Sequence, residues 1–225
     1  MTKYYLLGET HGTHECPSVC LAILRKHKIK NLALEFDKDY QPEIDQYVRG
    51  KRSLESLSIF QTPPVHDGRS SSAMKHLVEM AKKEGISLFL VDDYSDPSLR
   101  DRHMADNLRK IHGKVLYLCG NIHASKLLIP IPPFFRLLNS ILSLIGKGMI
   151  LPPGNLQPCG SYLPKKETDS YKIVALNGGD YYNLRKKSMR PDQELRARDS
   201  PLPTVINGEG GYDHLYVVDR FTYSR

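Results

Sequence analysis

The sequence is poor in the features that would place it in several common classes. Its four cysteines, Cys16, Cys20, Cys119 and Cys159, have no zinc-finger spacing, which removes the small metal-stapled folds. Cys16 and Cys20 share a helix face and Cys119 lies in an apolar run, so free, structural thiols in a reducing cytosol are expected. No Ser/Gly/Pro-rich linker divides the 225 residues into equal parts. A single α/β domain over 1–225 with a decorated second half is therefore expected. The first strand-like run begins at Lys3 and leaves no room for the three regions of a signal peptide, so a cytoplasmic protein is expected. The net charge of +7 comes with no RNA-recognition, helix-turn-helix or zinc signature, and no nucleic-acid partner is expected. Ser125 has no Gly-x-Ser-x-Gly elbow, which argues against a serine-hydrolase triad.

What is present is a series of apolar runs that stop abruptly in polar chemistry. Tyr4 to Leu7 ends in Gly8-Glu9-Thr10-His11, Asn31 to Leu34 in Glu35-Phe36-Asp37, Ile86 to Val91 in Asp92-Asp93, and Val115 to Cys119 in Gly120-Asn121-Ile122-His123. Helical spacing between them, as in Pro17 to Lys28 with Val19, Ile23 and Leu24, gives strand-helix-strand order. The expected fold is thus a mostly parallel sheet with flanking helices. A sheet of this kind binds ligands outside the carboxyl ends of its strands. Polar helical segments are expected from Pro42 to Phe60, a Pro/Gly/Ser loop from Thr62 to Ser72, and a helix opened by Asp96-Pro97 that runs to about His112.

The second half is less regular. Residues 127–153 form an apolar, proline-bracketed insertion whose helical part, about 133–145, is short of the roughly 20 residues that span a bilayer. A lid over the site or a packed insertion is the leading reading, with partner binding or peripheral membrane contact through 133–145 the alternative. Tyr171 to Leu176 and His214 to Asp219 supply extra C-terminal strands. Residues 183–212, with Arg185, Lys186, Lys187, Arg190, Arg196 and Arg198, read as a basic loop.

Gly-x-x-His occurs twice, each time after a strand-like run, which nominates His11 and His123 as catalytic residues. A neutral imidazole can remove a proton from water or bind a metal. Glu9 and Glu35 can orient the imidazole, hold a proton or complete a metal shell. Arg100 and Arg102 can hold a substrate carboxylate or a developing oxyanion. His14 and Glu15, at the start of the first helix, are further substrate-binding candidates, with helix capping the bland alternative. No metal or other cofactor is assigned on the first reading. On the alternative, His11, His123, Glu9 and Glu35 hold a divalent ion.

These residues, in order, resemble the motifs of the erythromycin esterase-like, ChaN-like and TIKI superfamily: Gly8 to Glu15, Leu34-Glu35, Arg100 to Asn107 and Gly120 to His123, followed by Gly160 to Leu163 and Gly178-Gly179. The resemblance implies an α/β core with a strand-end pocket. Its esterase branch implies metal-independent hydrolysis of an ester or related acyl bond, with a histidine such as His11 activating water beside Glu9 and Glu35. The Gly-Glu-x-His spacing is closer to the ChaN-like branch, which implies haem or another anionic ligand. The paired Gly-x-x-His motifs are those of the TIKI branch, which implies a metal-dependent protease. The expected partner is a small-molecule substrate of unassigned identity.

Overall fold

A computed structural model of the chain describes residues 2–61, 68–131, 155–183, 185–191 and 201–224. Its first strand, β1 (Lys3–Glu9), shows how the sheet is covered: Tyr5 and Leu7 join one buried apolar cluster, Tyr4 and Leu6 a second on the opposite face. Side chains alternate across a strand, so an unbroken apolar run is what a strand buried on both faces requires. β2 (Asn31–Asp37), β3 (Ser87–Asp92) and β4 (Lys114–Gly120) divide their apolar residues between the same two clusters.

Helices α1 (Glu15–Lys26), α2 (Gln41–Val48), α3 (Ser58–Gln61) and α4 (Ser72–Lys83) contribute to the first cluster. Helices α5 (Arg100–Arg109), α6 (Asn121–Ala124) and α7 (Cys159–Tyr162) contribute to the second. The remaining strands are β5 (Thr168–Ala175), β6 (Gly179–Asn183), β7 (Arg185–Met189), β8 (Thr204–Asn207) and β9 (His214–Val218). The main sheet has seven strands in the order β3-β2-β4-β1-β5-β9-β8, parallel except for β8 against β9, while β6 and β7 form a separate antiparallel hairpin. All four cysteines are free and buried. Among the described residues, no helix is long and apolar enough to cross a membrane.

Several expectations need correction. The basic stretch 183–212 is not wholly an irregular loop: residues 185–189 and 204–207 are strands β7 and β8. β7 is polar because its hairpin is held by pairing and by cross-strand contacts, Ser188 Oγ donating to Asp180 Oδ1 at 2.7 Å and Lys186 Nζ lying 2.9 Å from Asp180. The helix after β3 starts at Arg100 rather than beside Pro97, since Asp96 Oδ1 accepts from Ser98 N at 2.8 Å and Ser98 Oγ at 2.7 Å in a tight turn of its own. The polar helical segments expected from Pro42 to Phe60 are α2 and α3, and α2 ends before Gly50, whose φ of +73° suits glycine at a helix end. Of the apolar insertion 127–153, residues 132–153, including 133–145, lie outside the described residues. Ile129, within its first described residues, exchanges two backbone hydrogen bonds with Leu156 at 2.9 Å.

Candidate active site

Sheet order places the chemistry. β4 lies between β2 and β1, with Leu34 opposite Leu118 and Glu9 opposite Gly120. The ends of β2, β4 and β1 therefore bring Glu35, His123 and His11 to one edge. β2 carries an irregularity just there: Leu34 pairs with Leu90, but Asp37 pairs with Asp92, so β2 has one extra residue around Glu35. A bulge of this kind re-aims a side chain.

His11 Nδ1 lies 2.9 Å from Glu9 Oε1, and its Nε2 lies 3.9 Å from Glu35 Oε2. His123 Nδ1 lies 2.7 Å from Asp101 Oδ1, and its Nε2 lies 3.5 Å from Glu35 Oε1. Two imidazoles, each held at Nδ1 by a carboxylate, thus turn their Nε2 atoms toward opposite oxygens of one glutamate. Both are largely enclosed, each with 16% of its side chain exposed.

Glu35 is fixed on every side. Its Oε2 accepts the Gly120 N–H at 2.6 Å; its Oε1 accepts Arg100 Nη2 at 2.7 Å and Arg69 Nη1 at 3.1 Å. Arg69 Nη1 also donates to the Glu35 backbone carbonyl at 2.9 Å and to the Tyr94 hydroxyl at 3.1 Å. Arg100 grips the fully buried Asp92, Nε to Oδ1 at 2.7 Å and Nη2 to Oδ2, with its guanidinium over the Tyr94 ring. Burial alone would raise the Glu35 pKa, but the charges of His123, Arg69, His11 and Arg100 outweigh it and hold the carboxyl well below its ordinary range. Burial likewise favours neutral His123, but Glu35 and Asp101 raise its pKa above the ordinary 6.5. Glu35 is thus a fixed anion, a poor proton acceptor, and His123 tends to keep its proton.

Gly120 lets the two groups sit close to the backbone. A Cβ there would lie 3.1 Å from His11 Nε2, which would have to give by a few tenths of an ångström, and in ordinary contact with Glu35 Oε2 at 3.5 Å. Gly8 is similarly constrained, because a Cβ would come within 2.8 Å of Asn121 Oδ1 and 3.0 Å of Asn121 Cα, where α6 crosses β1.

The candidates separate by location. His11, Glu9, Glu35, His123 and Arg100 meet. Glu15 instead accepts from Thr222 N and Oγ1, and the His14 N–H donates to the Thr222 carbonyl. No hydrogen bond or ion pair joins Arg102 to the cluster among the described residues. Arg69 and Asp101 were missed. Arg69 lies in the stretch read as a Pro/Gly/Ser loop, with no nearby motif to single it out. Asp101 did carry a signal, its place between the two nominated arginines, but helix geometry turns it to His123 while Arg100 turns to Glu35.

The four-residue cation set fits this arrangement poorly. The Glu35 oxygens already face two guanidiniums and a backbone N–H, while His123 faces Asp101 with its other nitrogen. A divalent ion there would have to displace Arg100 or lie beside two fixed positive charges.

No protein-family model and no curated protein sequence matches the chain. Solved structures do, two of which cover 99% of this chain. A Bacillus cereus protein of structural-genomics origin is 14% identical and superposes with a TM-score of 0.62, covering 99% of this chain and 89% of its own. An erythromycin esterase, solved as a mutant in its open conformation, is 10% identical with a TM-score of 0.64, covering 99% of this chain and 92% of its own. Over essentially its full length, the chain has an α/β fold resembling that of erythromycin esterase.

Proposed function

We propose that the chain is a hydrolase that cleaves an ester or related acyl bond of a small molecule with water activated by His11. The observation that carries this reading is the pair of oriented imidazoles on either side of Glu35. Glu9 at Nδ1 favours the tautomer that leaves the Nε2 lone pair to act as a base. Water gives a proton to Nε2, its oxygen attacks the acyl carbon, and the carbonyl electrons move onto oxygen. His123, kept protonated by Asp101 and Glu35, supplies the complementary charge and hands its proton to the leaving alkoxide as the tetrahedral intermediate collapses. The proton on His11 then returns to solvent, and His123 is reprotonated. Glu35 takes no proton: it fixes the separation of the two rings and balances the guanidiniums of Arg69 and Arg100. The resemblance to an esterase supports the class of reaction but carries no substrate.

The test is a panel of p-nitrophenyl esters and peptides, assayed with wild type and His11→Ala after exhaustive chelation. Ester turnover should persist in chelated wild type and fall on the order of 10²–10⁴ in the variant, a general-base contribution, with its fold unchanged by circular dichroism. Complete loss on chelation, reversed by a divalent ion, would establish a metal-dependent hydrolase instead; haem colour with no turnover would establish a binding protein.

A further inference from the structure

The segment Phe221–Ser224 lies outside the site, yet it touches two of the chain segments that build it. Phe221 is buried, donates its N–H to Gly178 O at 2.9 Å and accepts the Asp180 N–H at 3.0 Å, which fixes the segment at its start. Its backbone then pairs antiparallel with the loop immediately after His11. The His14 N–H donates to Thr222 O at 3.0 Å, the Ser224 N–H donates to Gly12 O at 2.9 Å, and Thr13 pairs with Tyr223. Glu15 extends the pairing, accepting the Thr222 N–H at 2.8 Å and Thr222 Oγ1 at 2.6 Å. Ser224 also reaches a second segment: its buried Oγ accepts the Ala73 N–H at 3.1 Å and lies 3.1 Å from Ser72 Oγ. Those residues open α4, just after Arg69.

We propose that Phe221–Ser224 is a positioning brace, which holds the His11 loop and the start of α4 at one spacing and so sets how His11 and Arg69 meet Glu35. The sheet fixes Glu9 and Glu35, but His11 lies beyond the end of β1 and is followed by Gly12 at φ +71°. A glycine turn does not by itself hold one conformation. Its backbone partners here are Thr222, Tyr223 and Ser224. Glu15, nominated from sequence for substrate contact, serves in this reading as an anchor for the brace. The inference rests on the hydrolytic reading only for its kinetic consequence.

The test uses the full chain with Ser224→Ala, which removes one hydroxyl, and Thr222→Pro, which removes an N–H and a hydroxyl. Carbethoxylation of each histidine by diethylpyrocarbonate is followed by peptide mass spectrometry. His123, held by Asp101 on the other side of Glu35, is the internal control. His11 should react on the order of fivefold to tenfold faster in Thr222→Pro, which loses its bonds to Glu15, and by a smaller factor in Ser224→Ala, which loosens the brace only from Ala73 and Ser72, with His123 unchanged. On a p-nitrophenyl ester both variants should lose kcat with KM held. An unchanged His11 rate, or a parallel rise at both histidines, overturns the brace; if Thr222→Pro does not fold, Ser224→Ala alone decides. A His11-specific rise in a chain that turns over no ester keeps the brace and refutes the hydrolytic reading.

Discussion

His11 and His123 follow adjacent strands, and each presents Nδ1 to a carboxylate, but the two surroundings differ. On the β1 side, Glu9 and His11 belong to the same strand end, and the loop beyond is held from outside by Thr222 and Ser224. On the β4 side, Asp101 comes from α5 and also accepts the Cys159 N–H at 2.7 Å, so three separate parts of the chain meet at His123. Glu35 lies closer to His123 than to His11, 3.5 Å against 3.9 Å between the nearest atoms. One motif, Gly-x-x-His, thus yields two imidazoles suited to different tasks. In the reaction we propose, the surroundings rather than the motif decide which ring is the acid.

Glu35→Gln is expected to break the comparison most severely. It removes the charge both rings face and takes a carboxylate from Arg69 and Arg100; losing one member of a buried ionic cluster costs about 3–5 kcal/mol, measurable by urea unfolding. The pH dependence of stability has opposite signs at the two groups. Glu35, held below its ordinary 4.5, contributes fully above that pH, and the contribution is lost as pH falls through its folded value. His123, raised above 6.5, contributes fully below that pH, and its share is lost as pH rises through its folded value. Urea unfolding of Glu35→Gln should accordingly show a weaker loss of stability in acid than wild type.

Glu9→Ala sharpens the comparison on the β1 side alone. It removes the group that orients the base without removing the base, so ester turnover should fall by at most about 10²-fold, the low end of a general-base contribution. The smallest effect is expected from Tyr94→Phe. The ring under Arg100 stays, and only the hydroxyl that accepts from Arg69 is lost. At this half-exposed position the cost should be about 0.5–1 kcal/mol in thermal unfolding, with kcat almost unchanged.

The part of the fold that was legible in the sequence is the part whose chemistry is local. Strands β1 to β4 are buried on both faces, so each appears as an apolar run, and the polar residues that end them mark the sheet edge. Strand β7 was not legible, because cross-strand pairs such as Asp180 with Ser188 take the place of an apolar pattern, and β8 is only four residues at the edge of the sheet. The same division runs through the site. Glu9, His11, Glu35 and His123 stand where strands end. Arg69 and Asp101 reach the site from a loop and a helix, and only tertiary packing brings them to Glu35 and His123. Glu15 shows the converse: beside a histidine motif in sequence, it turns away to Thr222.

The most direct measurement is the pH dependence of kcat/KM for one p-nitrophenyl ester, compared between wild type and Asp101→Asn. Hydrolysis by a neutral His11 and a protonated His123 predicts a bell. Its basic limb should lie above pH 6.5, the ordinary imidazole value, and Asp101→Asn, by removing one of the two charges that hold the proton, should move that limb to lower pH and leave the acidic limb in place. A basic limb that does not move, or activity that stays flat as His123 loses its proton, would contradict the assignment of His123 as the acid.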